Sequence, residues 1–212
     1  MATEGPADQS GIVIRDLTGA ALTAALDSLA DLRIAVFRDF PYLYDGAGEE
    51  GRAYERVYLS AYAESPGALV VGAFAAAPDG ERLVGAATAA PMTDHAGPFA
   101  QPFRDRGMDV GGIYYFGESV LLGGWRGRGI GHAFFDRREA KARELGFAQA
   151  AFCAVVRPSD HPARPSGYSP LDPFWRSRGF APVEGLVARF DWKDVGEPGE
   201  TSHPMQFWLK AL

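Results

Sequence analysis

A mixed α/β fold in one domain, an α+β arrangement of helices on one sheet, is what this sequence predicts. Three observations lead there. Strand-like and helix-like segments interleave in the order β-α-α-β-β-β-α-β-α-β-β, which argues for a mixed sheet with helices packed on it and against a sandwich or a bundle. The 212 residues suit one domain with a full core. Hydrophobic content of 47% and charged content of 23% are ordinary for a globular chain.

Each element has its own signal. Residues 12–17 alternate around Arg15 and suit a first strand. Residues 20–38 carry apolar positions at three- and four-residue spacing, a helix that Pro41 stops. The aromatic stretch Phe40-Pro41-Tyr42-Leu43-Tyr44-Asp45-Gly46 reads as a loop. A second helical pattern covers 49–64, opened by two acids and closed by Pro66-Gly67. Residues 69–76 and 83–90 form a hairpin around the turn signal Pro78-Asp79-Gly80. Residues 91–111, rich in Pro, Gly and Asp, read as a long loop. A strand over 113–122 leads into a helix over 130–145, which Gly146 ends. Residues 147–156 are an apolar strand buried on both faces. A proline-rich loop over 157–170, a short helix over 171–178 and two closing strands over 181–192 and 205–210 complete the chain, the strands joined by Gly-Glu-Pro-Gly-Glu-Thr-Ser-His-Pro.

Composition narrows the function classes. Residues 1–10 have neither a basic nor an apolar region of a signal peptide and are expected to be a disordered lead-in to a domain over 11–212. No stretch is apolar enough to span a bilayer, so a cytoplasmic protein without membrane contact is expected. The single cysteine, Cys153, lies in an apolar run and reads as a buried strand residue; no metal site is expected. A net charge of −6 argues against a nucleic-acid partner. Yet Arg126, Arg128, Arg137, Arg138, Lys141 and Arg143 cluster in one segment, which points to a local anion site.

That segment carries the chemistry. An apolar strand runs into Gly-Gly-Trp-Arg-Gly-Arg-Gly-Ile-Gly-His and then into a helix. Glycines let backbone approach a ligand closely, and the first N–H groups of a helix are free to bind an anion such as pyrophosphate. Arg126 and Arg128 can add charge-assisted bonds. A Walker A loop is excluded because His132 and Ala133 follow Gly131 where Lys and Ser or Thr are needed. A Rossmann fingerprint is excluded because residues 148–156 hold no acid for a ribose.

The run Arg126-Gly127-Arg128-Gly129-Ile130-Gly131 resembles the Gln/Arg-x-x-Gly-x-Gly/Ala loop of the GNAT superfamily of acyl-CoA N-acyltransferases. Asp172-Pro173-Phe174-Trp175-Arg176-Ser177-Arg178-Gly179-Phe180 resembles that family's later aromatic-x-x-x-Gly-Phe element, and the element order agrees over 11–210. The resemblance implies a mostly antiparallel sheet splayed at the cofactor site, with acetyl-CoA as cosubstrate. The pantetheine arm is expected along Ser119, Val120 and Leu121, and the pyrophosphate on the loop from Arg126 and Gly127 through Arg128, Gly129, Ile130 and Gly131 to His132. It further implies direct acyl transfer to an amine, with Glu118 as general base. Trp175 stands where many members carry the tyrosine that protonates the thiolate. Trp175 is then expected to wall the pantetheine channel, and Tyr168 or water to supply the proton.

Tyr42, Tyr44, Asp45, Arg157 and His161 are the acceptor-pocket candidates, since they lie on the two loops that the family places opposite the cofactor. The expected acceptor is the primary amine of a small molecule. A protein N-terminus or lysine is the alternative, and a non-catalytic acyl-CoA sensor or scaffold is the third. Either a monomer or a homodimer fits the sequence.

Overall fold

The computed structural model describes residues 11–78, 80–94 and 99–212; the expected lead-in over 1–10 and the turn residue Asp79 lie outside them. The strands are β1 (Ile12–Leu17), β2 (Leu69–Ala77), β3 (Gly80–Pro91), β4 (Ile113–Leu121), β5 (Gln149–Val155), β6 (Ala181–Lys193) and β7 (Glu200–Ala211). The helices are α1 (Gly19–Phe37), α2 (Glu49–Glu64), α3 (Gln101–Arg104), α4 (Ile130–Glu144) and α5 (Asp172–Ser177). One seven-stranded sheet runs β1-β2-β3-β4-β5-β7-β6, antiparallel throughout except for the parallel pair β4–β5.

The helices divide between the two faces. On one face Leu22, Leu29 and Leu32 of α1 and Leu59 and Tyr62 of α2 pack against Val70, Ala86, Ala90 and Val120. On the other, Ile130 and Phe134 of α4 meet Val71, Ala73 and Val84, while Phe135 and Ala142 join Tyr114, Phe116, Phe152, Phe180 and Trp208. Burial of β5 on both faces follows from this double cover: Ala150, Ala151, Phe152 and Cys153 are all buried. Among the described residues no helix is long and apolar enough to cross a membrane.

Besides shifts of one to three residues at other ends, three departures from the sequence reading have a physical reason in the packing. The 91–111 loop contains the helical turn α3, whose Phe103 is buried against Phe207. The strand read over 147–156 starts at Gln149, because Phe147 N–H closes the end of α4 by donating to the Ala142 carbonyl. The last strand begins at Glu200 rather than at 205, with Pro204 inside it opposite Arg189. Proline is normally excluded from an inner strand because it lacks a donor. Here the Pro204 carbonyl accepts from Val156 N–H, so the missing N–H also faces the β5 side, where β5 has already ended at Val155.

Candidate active site

Two irregularities of β4 create the site. The first is a bulge: Ala87 pairs with Ser119 and Ala89 with Phe116, so Thr88 stands opposite both Gly117 and Glu118. An extra residue inverts the alternation of faces. Tyr114 and Phe116 point into the α4 core, and regular pleating would send Glu118 the same way. The bulge instead turns Glu118 toward α1 and α2, with Val120 after it, and puts Ser119 on the α4 side. Gly117 is required, since a Cβ there would collide with the Tyr62 hydroxyl and Thr88 Oγ1.

The second irregularity is a gap. The β4–β5 ladder holds only at Ile113–Gln149, Tyr114–Ala150 and Tyr115–Ala151, although the strands continue to Leu121 and Val155. Beyond Tyr115 the two strands diverge, and the facing edge of β4 has no ladder partner there. Such an edge offers N–H and C=O groups to an extended ligand.

The gap leads to the glycine loop. A short 3₁₀ turn, Gly123–Trp125, hands the chain to Arg126, and α4 begins at Ile130. Gly127 and Gly129 have φ of 76° and 80°, a left-handed conformation that suits glycine. A Cβ on either would meet nothing within 4 Å, so the space above the loop is open. Arg126, Arg128 and His132 are exposed; the Arg128 guanidinium lies 4.8 Å from the Trp125 ring centre, and His132 packs edge-on against Phe174. Gly131 and His132 fall in the first turn of α4, where N–H groups lack helical partners. Trp175 packs on Phe152 of β5 and on Trp208 of β7, both with ring centres 5.1 Å away.

Glu118 sits in a buried charge network that the sequence reading missed. Arg33 Nη1 lies 2.6 Å from its carboxylate, and the Tyr58 hydroxyl donates to it at 3.2 Å. Arg33 Nε also donates to the buried Glu55. Burial pulls the Arg33 guanidinium down, but Glu118, Tyr58 and Glu55 together hold it above its ordinary value. Burial, reinforced by Glu118, raises the Tyr58 and Tyr62 hydroxyls above theirs. A signal was present: Arg33 and Glu55 occupy the inward faces of α1 and α2, in step with Leu29 and Leu59. Opposite charges on two apolar faces mark a buried pair.

The five acceptor-pocket candidates gather in one lip. Tyr42 packs between Phe37 and Trp192, and burial raises its hydroxyl. Burial and a hydrogen bond with Glu55 raise that of Tyr44. Asp45 is paired with Lys193 and Arg38, which hold its carboxyl below the ordinary value. Arg157 spends its donors within the protein: two bonds to Asp194 at 2.7 and 2.8 Å, and one each to the carbonyls of Pro41 and Tyr42. His161 lies against Phe40, and its Nδ1 accepts from Ala163 N–H. Tyr168 packs edge-on against Phe40 at 4.7 Å. Burial raises its hydroxyl, a rise that Arg164 and Arg126 oppose and Asp172 reinforces.

No family model matches the sequence, and no curated protein matches it. Solved structures do. A GCN5-related N-acetyltransferase from Kribbella flavida is similar over 97% of this chain and 100% of its own, with a TM-score of 0.55 and 17% identity. The fold is that of the GCN5-related N-acetyltransferases. The ribosomal-protein-alanine N-acetyltransferase of Brucella melitensis covers 94% of this chain and 99% of its own, with a TM-score of 0.56 and 17% identity. The GNAT phosphinothricin acetyltransferase of Sinorhizobium meliloti, in complex with acetyl-CoA, covers 95% and 89%, with a TM-score of 0.56 and 18% identity. The GNAT fold accounts for the mostly antiparallel sheet with its one parallel, divergent pair. Among the described residues no group of three or more His, Cys, Asp or Glu is placed to hold a metal ion.

Proposed function

We propose that this protein is an acyl-CoA-dependent N-acyltransferase that moves an acetyl group to the primary amine of a small molecule. The carrying observation is the gap between β4 and β5, which opens directly onto the glycine loop at the start of α4. One end of this cleft offers backbone donors and acceptors in an extended row, and the other offers helix N–H groups beside two exposed arginines. A pantetheine arm followed by a pyrophosphate needs that pair of features in that order.

The residues divide the work. The backbone of Ser119, Val120 and Leu121 takes the pantetheine amides, with Trp175 beside β5 as a wall. Arg126, Arg128 and the N–H groups through His132 take the pyrophosphate. The amine attacks the thioester carbonyl; the N–C bond forms as the C–S pair leaves on sulfur. Glu118 accepts the amine proton through water, its carboxylate oriented by Arg33 and Tyr58. Tyr168 or water returns a proton to the thiolate. Asp45 and Arg157 shape the lip through their internal pairs, and Tyr42, Tyr44 and His161 give it aromatic walls. The contacts of Phe40 with Tyr168 and of Arg157 with Pro41 and Tyr42 tie the two loops together. A lip tied in this way favours a compact acceptor over a polypeptide that needs an open groove.

Thermal melting with acetyl-CoA tests the reading. At a ligand concentration 100-fold above Kd the expected stabilisation is about 2.7 kcal/mol, a rise of roughly 5–10 °C for a chain of this size. No rise contradicts it. Thiol release across an amine library then identifies the acceptor class, and release only with peptide substrates would replace the small amine by a protein.

A further inference from the structure

A fully buried cation stands behind the most open residue of β4. Arg138 of α4 is 1% exposed. Its Nε donates to the Phe134 carbonyl, Nη1 to the Glu118 and Thr88 carbonyls at 3.2 and 3.4 Å, and Nη2 to Ser119 Oγ at 2.7 Å. The Phe116 and Phe135 rings flank the guanidinium at 4.4 and 4.8 Å. Among the described residues it makes no ion pair with a carboxylate. Burial pushes it down to about 9, which leaves it charged at neutral pH. The titratable groups facing it are Glu118 and Tyr114 of β4, Tyr62 of α2 across Gly117, and Glu139 of α4. A buried charge with no carboxylate in direct contact is costly, and such perturbed groups cluster at functional sites.

Ser119 is the reverse case. Phe116, Glu118 and Val120 are buried, yet Ser119 is exposed, just past the bulge and beyond the last β4–β5 pair. Its oxygen accepts from Arg138, so its own proton is left to donate elsewhere. A hydroxyl whose oxygen is bound by a cation is a stronger donor.

We propose that Ser119 and Arg138 form a thiolate-receiving pair, in which the Ser119 hydroxyl hydrogen-bonds the departing sulfur and Arg138, as a positioning residue, supplies charge through that hydroxyl. The inference rests on the acyl-CoA reading of the cleft. As the amine nitrogen bonds to the carbonyl carbon, the C–S electron pair leaves on sulfur. The negative charge is met by the Ser119 O–H, which keeps its proton. The thiolate is protonated later by Tyr168 or water, and the amine proton leaves toward Glu118. The pair supplies an anion site that the Trp175 indole cannot provide as an acid.

The test uses CoA itself and needs no acceptor. The thiolate of bound CoA is followed by ultraviolet absorbance against pH, with the protein saturated by desulfo-CoA as reference. Cys153 is pushed up to about 12 by burial and stays silent over the range. A free thiol titrates near about 8.5, and the bound thiol is expected about one to two pH units lower. Ser119→Ala is expected to remove at least about one unit of that shift and Ser119→Thr to keep it. Arg138→Met is expected to remove the shift as well; if that variant does not fold, the exposed Ser119 still decides. A wild-type thiol that titrates at the free value, or a Ser119→Ala protein that matches the wild type, overturns the pair while leaving CoA binding intact. A wild type that binds neither ligand overturns the acyl-CoA reading, and the pair with it.

Discussion

Glu118 and Arg33 set the terms at the level of single residues. Glu118 is buried and Arg33 nearly so, and a buried charge persists only when it is paired. Arg33 serves two carboxylates, so Arg33→Met strands both Glu118 and Glu55. We expect a loss of about 3–5 kcal/mol in urea unfolding, as for other broken buried pairs. Glu118→Gln keeps the shape and a hydrogen bond, so its fold should survive. If Glu118 takes the proton, kcat/KM should fall about 10²- to 10⁴-fold and the acid limb of the pH–rate profile should vanish. An unchanged profile contradicts the role. The sequence offered Glu118 as a charge in an apolar strand, but not its partners. Arg33 and Glu55 lie 85 and 63 residues before it, and only the packing of α1 on α2 and of both on β4 brings them together. Arg157 shows the opposite limit: the sequence placed it among the acceptor-pocket candidates, and the fold uses its donors to fasten two loops to Asp194.

At the level of elements, β4 is the decisive strand, and its two irregularities differ in how legible they are. The bulge cannot be read from local pattern, because it shows only in the register against Thr88. Gly117 is its one visible trace. Gly117→Ala should drive the Tyr62 hydroxyl and Thr88 away, cost about 1–3 kcal/mol and displace Glu118; a melt combined with the CoA titration would show both. The glycine loop, by contrast, is plain in the sequence, since its chemistry is local. Gly129 has a φ of 80°, so Gly129→Ala should cost about 1–2 kcal/mol and weaken CoA binding by disturbing the first turn of α4. Arg126 is exposed; Arg126→Ala should weaken CoA about tenfold by calorimetry and leave the melting temperature of the free protein unchanged. Equal affinity in the variant would place the pyrophosphate elsewhere.

At the level of the whole molecule, two ionic fasteners hold the site's walls together. Glu139 of α4 is 4% exposed and meets Lys210 of β7, Arg178 after α5, and Arg143. Burial raises its carboxyl, but Lys210 and Arg178 outweigh that and leave it below its ordinary value. Its stability contribution is therefore full above about pH 4.3 and is lost as pH falls through the depressed folded value. Glu139→Gln should cost about 2 kcal/mol at neutral pH, with the difference from wild type closing in acid. His203 stacks on Trp192 and lies 3.4 Å from Asp194 in the other fastener. Burial and then Arg157 lower its pKa, so the folded state favours the neutral ring and stability should decline as pH falls below about 6.5. His203→Gln should flatten that decline in melts across the range.

Fold class, most of the element order and the glycine turn before α4 were legible because they rest on periodicity and local turn chemistry. Pro204 misled the last boundary because its tolerance depends on where β5 ends. The central claim is that the β4–β5 gap and the α4 N-terminus form one acyl-CoA cleft. Amide hydrogen exchange with and without acetyl-CoA tests it most directly. Slowed exchange confined to residues 119–121 and 128–133 is the predicted result, and binding that leaves those amides unchanged would contradict it.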